Sequence, residues 1–297
     1  MDRRHWDQLP EGARRVVESR CGPVVQAEPA PSGVNNAFAG TLHLRHGTPV
    51  FCKGIPDDVD PWTLAMFDRE AAIGPDLPAD VSPRLLWDLH ADGWRLLGFE
   101  YVEGRPADFA PGSSDLPLVA QTLRTLATSI PAPTSEKQQL IGERLAGIQV
   151  WNTYLRKGVP EGLDSWASDN LAELAAREAA APAHTIGDTL LHTDLNSHNW
   201  IIGPAGPRIV DWSWTARGAA WVEVEFLAPR LLAAGHTPRD VERWADSVHE
   251  TPPPIAGSAA FAVALAGIWT HRAMSGGFNP AFADAAREWA RHQLALT

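Results

Sequence analysis

The chain has 297 residues, of which 44% are hydrophobic and 21% are charged, and its formal net charge at pH 7 is −11. This composition is typical of a globular protein with one large or two modest domains, and the acidic balance argues against nucleic acid as a partner, since phosphate binding requires clustered Lys and Arg. The longest apolar run, 259–269, is too short to cross a bilayer, and the beginning of the chain lacks the apolar segment of a signal peptide, so we expect no membrane association. The two cysteines make no disulfide framework, so we expect a reducing, cytoplasmic location.

The first sixty residues predict three strands. They lie at 24–27, in the alternating segment TLHLR and in VFCK, which ends at Lys53. A lysine inside a strand usually belongs to a solvated face or an edge. Between the first two strands lies PSGVNNAFAG, residues 31–40, which by itself indicates an ordinary hairpin turn.

A helix is predicted to begin at Pro61, a position where proline is tolerated. Its apolar side chains recur at helical spacing and form one stripe: Trp62, Met66 and Ile73. Glu70 falls on the same stripe, and a carboxylate that faces a core is costly unless a cation meets it. Lys53 on the preceding strand is the nearest cation in sequence. The alternative is that Glu70 sits at the rim of the stripe and reaches solvent.

A second hairpin follows, formed by PRLLWDL and WRLLGFEYVEG around an Asp-Gly turn at 91–93. The second strand ends at Glu103 and Gly104, where the pattern changes from strands to helices. We therefore predict two domains, 1–103 and 104–297. Helical periodicity begins with apolar residues from Leu116 to Ile130 and continues in six further segments: 138–157, 164–180, 222–234, 238–249, 258–274 and 280–296.

The most informative segment is HTDLNSHN, from His192 to Asn199. It leads into a predicted hairpin made of WII, a turn at 203–207 and RIV, and Asp211 follows the second strand. Because the two ends of a hairpin lie together, Asn199 and Asp211 should be neighbours, and such oxygen ligands suit Mg²⁺. Asp194 precedes Asn199 by five residues, should face the same space and is free to act as a base. His192 is expected to support the loop by packing and hydrogen bonding.

The spacing of Asp194, Asn199 and Asp211 matches a phosphoryl-transfer site, in which a loop aspartate accepts the hydroxyl proton and an asparagine and a second aspartate hold metal. The chain resembles the aminoglycoside phosphotransferase family, the small-molecule branch of the protein-kinase-like fold, and the resemblance rests on the segments HTDLNSHNW and IVDW. Thr193 stands where that family commonly has glycine, and Trp212 stands where protein kinases have phenylalanine.

The resemblance implies an α+β, bilobal protein-kinase-like fold with a small antiparallel-sheet amino-terminal lobe and a larger, mainly helical carboxy-terminal lobe. It also implies ATP, or GTP, together with Mg²⁺ as cofactors, Lys53 on the phosphates and Glu70 as its partner. Further nucleotide contacts would come from side chains of the 31–40 loop and from the backbone at the end of the second hairpin: Ser32, Asn35, Asn36, Glu100 and Val102. Glu223 lies where the family usually carries an aspartate that supports the catalytic loop.

The function expected from this resemblance is transfer of the γ-phosphate to a hydroxyl of a small molecule, such as an aminoglycoside or another antibiotic. The acidic balance would steer a cationic acceptor, and the protein would be a monomer or a homodimer. Two alternatives stay open. One is a catalytically silent protein of the same fold that binds a nucleotide or an antibiotic, and the other is a metal-dependent hydrolase with His192 and Asp194 as ligands.

Overall fold

The computed structural model describes residues 4–31, 37–129, 139–249, 252–277 and 279–297. Two compact units divide the chain. The first comprises Met1–Pro106 and His198–Trp214, and the second comprises Ala107–Ser197 and Thr215–Thr297. The segment 198–214 thus belongs with the amino-terminal unit, whereas the sequence-based division at 103/104 placed it in the second domain.

The first unit contains helices α1 and α2 and most of the strands. The helices are α1 (Glu11–Cys21) and α2 (Pro61–Ile73). The strands are β1 (Val24–Pro29), β2 (Phe38–Leu44), β3 (Val50–Pro56), β4 (Leu85–Ala91), β5 (Trp94–Glu100), β6 (Arg105–Pro106), β8 (Trp200–Gly203) and β9 (Gly206–Ile209), and β7 (Thr189–Leu191) belongs to the second unit.

An antiparallel sheet of five strands in the order β1-β2-β3-β5-β4 organises the first unit. The predicted hairpin at 91–93 is confirmed, and Asp92 and Gly93 at its turn have φ of 51° and 73°, the left-handed values that an Asp-Gly turn adopts. One face of the sheet packs on α1, which the sequence analysis did not predict, through buried side chains that include Val17 and Leu42. The other face packs on α2.

The hairpin predicted between Asn199 and Asp211 is also confirmed. Strand β8 pairs with β9 from Trp200 opposite Ile209 to Gly203 opposite Gly206, and β6 pairs with β8 on the other side. Gly203 is required here, because a Cβ atom at this position would lie 2.2 Å from the carbonyl oxygen of Glu103.

The second unit is mostly helical. Its elements are α3 (Asp115–Ser129), α4 (Ile141–Gly147), α5 (Val150–Lys157), α6 (Ser165–Asp169), α7 (Leu171–His184), β7, β10 (Ala216–Gly218), α8 (Val222–Ala233), α9 (Pro238–Val248), α10 (Ile255–Met274) and α11 (Pro280–Leu294). Helix α10 lies at the centre and is buried along most of its length, with Phe261 and Leu265 in the core. Among the helices that the structure describes, none combines the length and the apolar character needed to span a membrane.

Two predicted helices are each divided in the structure. The segment 138–157 breaks between α4, which ends at Gly147, and α5, which begins at Val150. At the start of α5, the buried carboxylate of Glu178 accepts hydrogen bonds from the backbone N–H groups of Val150 (2.8 Å) and Asn152 (3.0 Å). The segment 164–180 breaks at Asn170, and its second half continues to His184.

Candidate functional site

Lys53 lies on β3, in the interior of the sheet of the first unit, where it pairs with Ala39 on β2 and Leu97 on β5. It is therefore not on an edge or a solvated face, and only 6% of the residue is exposed. A buried ammonium requires nearby carboxylates, because desolvation of an unpaired charge costs several kcal/mol.

Glu70 on α2 supplies one of these carboxylates. The Lys53 Nζ atom donates to Glu70 Oε1 at 2.7 Å and to Oε2 at 3.0 Å, and only 3% of Glu70 is exposed. The predicted ion pair is present, and the alternative in which Glu70 reaches solvent is wrong. The predicted stripe was wrong in one member, because Trp62 is 50% exposed while Met66 is buried. Trp62 instead makes an edge contact with the ring of Trp214, at 5.3 Å between centroids.

Asp211 supplies the second carboxylate, and the β8–β9 hairpin places it. The backbone N–H of Val210 donates to the carbonyl of Asn199 at 2.9 Å, so the two ends of the hairpin are adjacent, as the sequence predicted. Asp211 then adopts φ of 66°, an unusual value for a residue other than glycine. This conformation accompanies a contact of 2.8 Å between Asp211 Oδ1 and Lys53 Nζ.

The electrostatics of these three groups favour a permanently charged lysine. Burial lowers the pKa of the Lys53 ammonium, but the carboxylates of Asp211 and Glu70 outweigh that effect, and the net result is a pKa raised above the usual value. Two carboxylates share one ammonium, so the cluster carries a formal charge of −1 when all three groups are ionised. The Asp211 side chain is 36% exposed, whereas that of Glu70 is 4% exposed, and Asp211 is thus the carboxylate that solvent and solutes reach.

The donor set at the end of the hairpin is suited to a hard cation. Asn199 offers an amide oxygen and Asp211 a carboxylate, the ligand types that Mg²⁺ takes together with water and phosphate oxygens. The excess negative charge beside Lys53 also favours a cation. Among the described residues, no group of three or more His, Cys, Asp or Glu side chains is arranged to hold a metal ion, so a cation here would have Asn199 and Asp211 as its protein ligands.

Five further residues are expected to contact a nucleotide, and two of them, Glu100 and Val102, lie among the described residues. Glu100 ends β5, and its backbone N–H donates to the carbonyl of Arg84 at 2.9 Å. Val102 lies between β5 and β6, in a segment without regular secondary structure. Ser32, Asn35 and Asn36 lie outside the described residues.

The first six residues of the HTDLNSHN motif, 192–197, belong to the second unit, where a glutamate on a helix binds them. Glu223 on α8 accepts hydrogen bonds from the backbone N–H of His192 at 2.8 Å and of Thr193 at 2.9 Å. His192 is fully buried, and its Nδ1 atom accepts from the backbone N–H of Asp194 at 3.2 Å. Both residues therefore support the loop. Burial raises the pKa of Glu223 to about 7 against the lowering effect of those backbone N–H groups.

Thr193 has a left-handed backbone conformation that glycine would adopt without strain. Its φ is 63°, a left-handed value that a β-branched residue adopts only at a cost. The side chain compensates through its hydroxyl, which accepts from Arg144 Nη1 at 2.8 Å, while Arg144 Nη2 donates to the carbonyl of Thr215 at 3.2 Å.

Asp194 has a charged partner that sequence reasoning missed. Its Oδ1 atom lies 2.9 Å from Nη2 of Arg230 on α8, and Asn196 Nδ2 donates to its Oδ2 atom at 3.2 Å. The signal was available, since Arg230 follows Glu223 by seven residues and lies on the same face of a helix whose only other charged residue is Glu225. Asp194 lies in the second unit, while Asn199 and Asp211 lie in the first, and their common pocket stays a prediction.

Solved structures of small-molecule kinases share this architecture along nearly the whole chain. The choline kinase LicA from Streptococcus pneumoniae superimposes with a TM-score of 0.63 at 14% identity, over 96% of this chain and 99% of that chain. A thermostable mutant of the aminoglycoside phosphotransferase APH(4)-Ia, in a ternary complex with AMP-PNP and hygromycin B, gives 0.63 at 15% identity, over 95% and 99%. The chain has the protein-kinase-like fold of these enzymes.

A third structure with this fold is the aminoglycoside phosphotransferase APH(3'')-Id from Streptomyces rimosus in complex with ADP and streptomycin, with a TM-score of 0.54 at 20% identity, over 88% of this chain and 99% of that chain. No family model and no curated protein matches the sequence. The predicted α+β, protein-kinase-like fold is confirmed by these structures.

Proposed function

We propose that this protein is an ATP-dependent phosphotransferase that moves the γ-phosphoryl group of ATP to a hydroxyl group of a small molecule. The observation that carries the proposal is the contact of the buried Lys53 Nζ atom with both Glu70 (2.7 Å) and Asp211 (2.8 Å). A lysine held by a helix glutamate and placed beside a metal-binding aspartate is the arrangement that protein kinases use for the phosphates of ATP.

In the proposed reaction, the acceptor oxygen attacks the γ-phosphorus while Asp194 accepts the hydroxyl proton. A bond forms between the acceptor oxygen and phosphorus, the bond between phosphorus and the β,γ-bridging oxygen breaks, and ADP leaves. Asn199 and Asp211 would hold Mg²⁺, which neutralises phosphate charge when bound. Lys53 would contact the phosphates, and Glu70 would keep its ammonium in place.

The nucleotide would contact two further parts of the first unit. Backbone groups of Glu100 and Val102 would hydrogen-bond the adenine edge, or the guanine edge if GTP is used. The polar side chains of the 31–40 loop would meet phosphate oxygens: Ser32, Asn35 and Asn36.

For the acceptor, we propose a hydroxylated antibiotic, with an aminoglycoside as the first candidate. Two structures with this fold contain such acceptors, hygromycin B in one and streptomycin in the other. The formal net charge of −11 would also attract a cationic molecule.

The test is a panel of acceptors incubated with ATP or GTP and Mg²⁺, containing aminoglycosides, cyclic peptide antibiotics, choline-like alcohols, homoserine and thioribose. We expect one acceptor to gain the mass of one phosphoryl group while an equal amount of ADP forms from ATP, or of GDP from GTP. Asp194→Asn should lower the rate of transfer by about 10²- to 10⁴-fold and leave a measurable residual rate. Asp188→Asn should retain the full rate, because the Asp188 side chain is 93% exposed, and it serves as a matched control.

Two results would contradict the proposal. Nucleotide binding without transfer to any acceptor would indicate a catalytically silent protein of the same fold. Hydrolysis that depends on a tightly bound transition metal and not on ATP would indicate the hydrolase alternative.

A further inference from the structure

Arg230 is a largely but not fully buried cation whose described ion-pair partner is Asp194. Its side chain is 14% exposed, and its Nη2 atom donates to Asp194 Oδ1 at 2.9 Å. Burial lowers the pKa of Arg230 and the Asp194 carboxylate raises it. Because a buried guanidinium is costly without an opposite charge, the pair fixes both side chains.

Aromatic rings hold the guanidinium on its other side. The Arg230 Cζ atom lies 5.3 Å from the ring centroid of Phe282 on α11 and 6.0 Å from that of Trp269 on α10. Both distances are within the range of cation–π attraction. Among the described residues, no group accepts a hydrogen bond from Arg230 Nε, which is also buried. The guanidinium therefore owes its position to the two rings and to the aspartate.

One face of α8 contacts the loop at two consecutive points. Glu223 binds the backbone N–H groups of His192 and Thr193, and Arg230, seven residues further along the same face, binds the side chain of the next residue, Asp194. Asn196 donates to the second oxygen of that carboxylate at 3.2 Å. The Asp194 carboxylate is therefore bound through Oδ1 by α8 and through Oδ2 by the loop itself.

We propose that Arg230 is a positioning residue that orients the Asp194 carboxylate toward the acceptor hydroxyl. The inference rests on the proposed function, in which Asp194 accepts the proton of the acceptor hydroxyl group. A carboxylate that is free to rotate spends less time in the reactive geometry, and misplacement by about 1 Å can cost on the order of 100-fold in rate. Arg230 would act on turnover through Asp194 alone and would leave nucleotide binding unchanged.

The experiment compares Arg230→Met, Arg230→Lys and Asp194→Asn with the double variant Asp194→Asn/Arg230→Met. Methionine keeps an unbranched apolar stem against Trp269 and Phe282 but removes the charge. We expect Arg230→Met to lower kcat about 10- to 100-fold with an unchanged KM for ATP, and Arg230→Lys to recover part of the loss. Arg239→Met, at an exposed position, is the control and should have no effect.

The double variant supplies the decisive readout. If Arg230 acts through Asp194, the double variant is no slower than Asp194→Asn alone, whereas a general structural defect would lower the rate in both backgrounds. An equal further loss in the Asp194→Asn background would overturn the proposal, and so would a kcat unchanged in Arg230→Met.

Unfolding midpoints of the same variants separate this inference from the proposed function. Each single variant should lower the midpoint, and the double variant should lower it by less than the sum of the two, because the first substitution already breaks the pair. If the natural protein transfers no phosphoryl group although the midpoints are non-additive, the proposed function and the positioning role fail and only the ion pair stands. Additive midpoints would refute the pair itself, whatever the activity.

Discussion

Glu225 is a buried carboxyl group that binds no charged partner in the described hydrogen bonds, and its titration should control the stability of the second unit. It lies on α8, 3% exposed, and accepts hydrogen bonds from the hydroxyl of Ser258 on α10 and from Nε1 of Trp289 on α11, the latter at 2.7 Å. Burial raises the pKa of Glu225 from 4.5 to about 7, and the two neutral donors only partly oppose it.

The size and sign of the effect follow from linkage. The folded state binds the proton more tightly than the unfolded state, so the stabilisation is complete below the unfolded pKa of 4.5 and is lost as the pH rises through about 7. At about 1.4 kcal/mol for each pKa unit, the free energy of unfolding falls by about 3 kcal/mol across this window. The charged carboxylate is then buried without a counter-ion.

Glu225→Gln should remove this dependence. The amide is neutral at every pH, its oxygen can accept from Trp289 Nε1, and its NH₂ group can donate to the Ser258 hydroxyl. We expect urea unfolding, followed by tryptophan fluorescence, to show similar stability for both proteins near about pH 5 and a gain of about 3 kcal/mol for the variant near about pH 8. Glu288→Gln, at an exposed position, is the control. Parallel pH profiles for Glu225→Gln and the natural protein would refute the reasoning.

Three further predictions concern candidate functional residues of the first unit and a loop residue of the second. Lys53→Met should lower the free energy of unfolding by about 3–5 kcal/mol, because Glu70 then remains buried without a cation. Adding Glu70→Gln should recover part of this loss. If chemical denaturation shows no recovery, the ion pair does not stabilise the protein as described. Asp211→Asn should abolish the Mg²⁺ dependence of nucleotide affinity measured by calorimetry, and a persisting dependence would exclude Asp211 as a ligand. Thr193→Gly should relieve about 1–2 kcal/mol of backbone strain but lose a hydrogen bond to a charged group worth about 1.5–3 kcal/mol. It should therefore destabilise the natural protein and stabilise an Arg144→Met variant, and the same sign in both thermal melts would contradict this account.

Much of the first unit could be predicted from local sequence. The strand that contains Lys53, the Asp-Gly turn at 91–93 and the hairpin before Asp211 follow from alternation and turn residues, which act over a few positions, although the strand continues to Pro56 and does not end at Lys53 as predicted. Helical periodicity also put Glu70 on a buried face, and the cost of an unpaired buried carboxylate then required Lys53.

Tertiary structure decided what depends on partners distant in the chain. Trp62 has the spacing of a core residue but is half exposed, and its ring contacts the ring of Trp214, which lies about 150 residues later in the chain. The start of α5 is set by Glu178, which no local pattern connects to that helix.

The sequence by itself determined which chemical groups are present at the motif: the aspartate at 194, the asparagine at 199 and the aspartate at 211 stand in an order that indicates phosphoryl transfer. Only the folded chain brings Arg230 and Glu223 against the loop, since they come from a helix about thirty residues later and their contacts depend on how α8 packs. Local periodicity specifies the face on which a charge lies, whereas packing between elements selects the group that it meets.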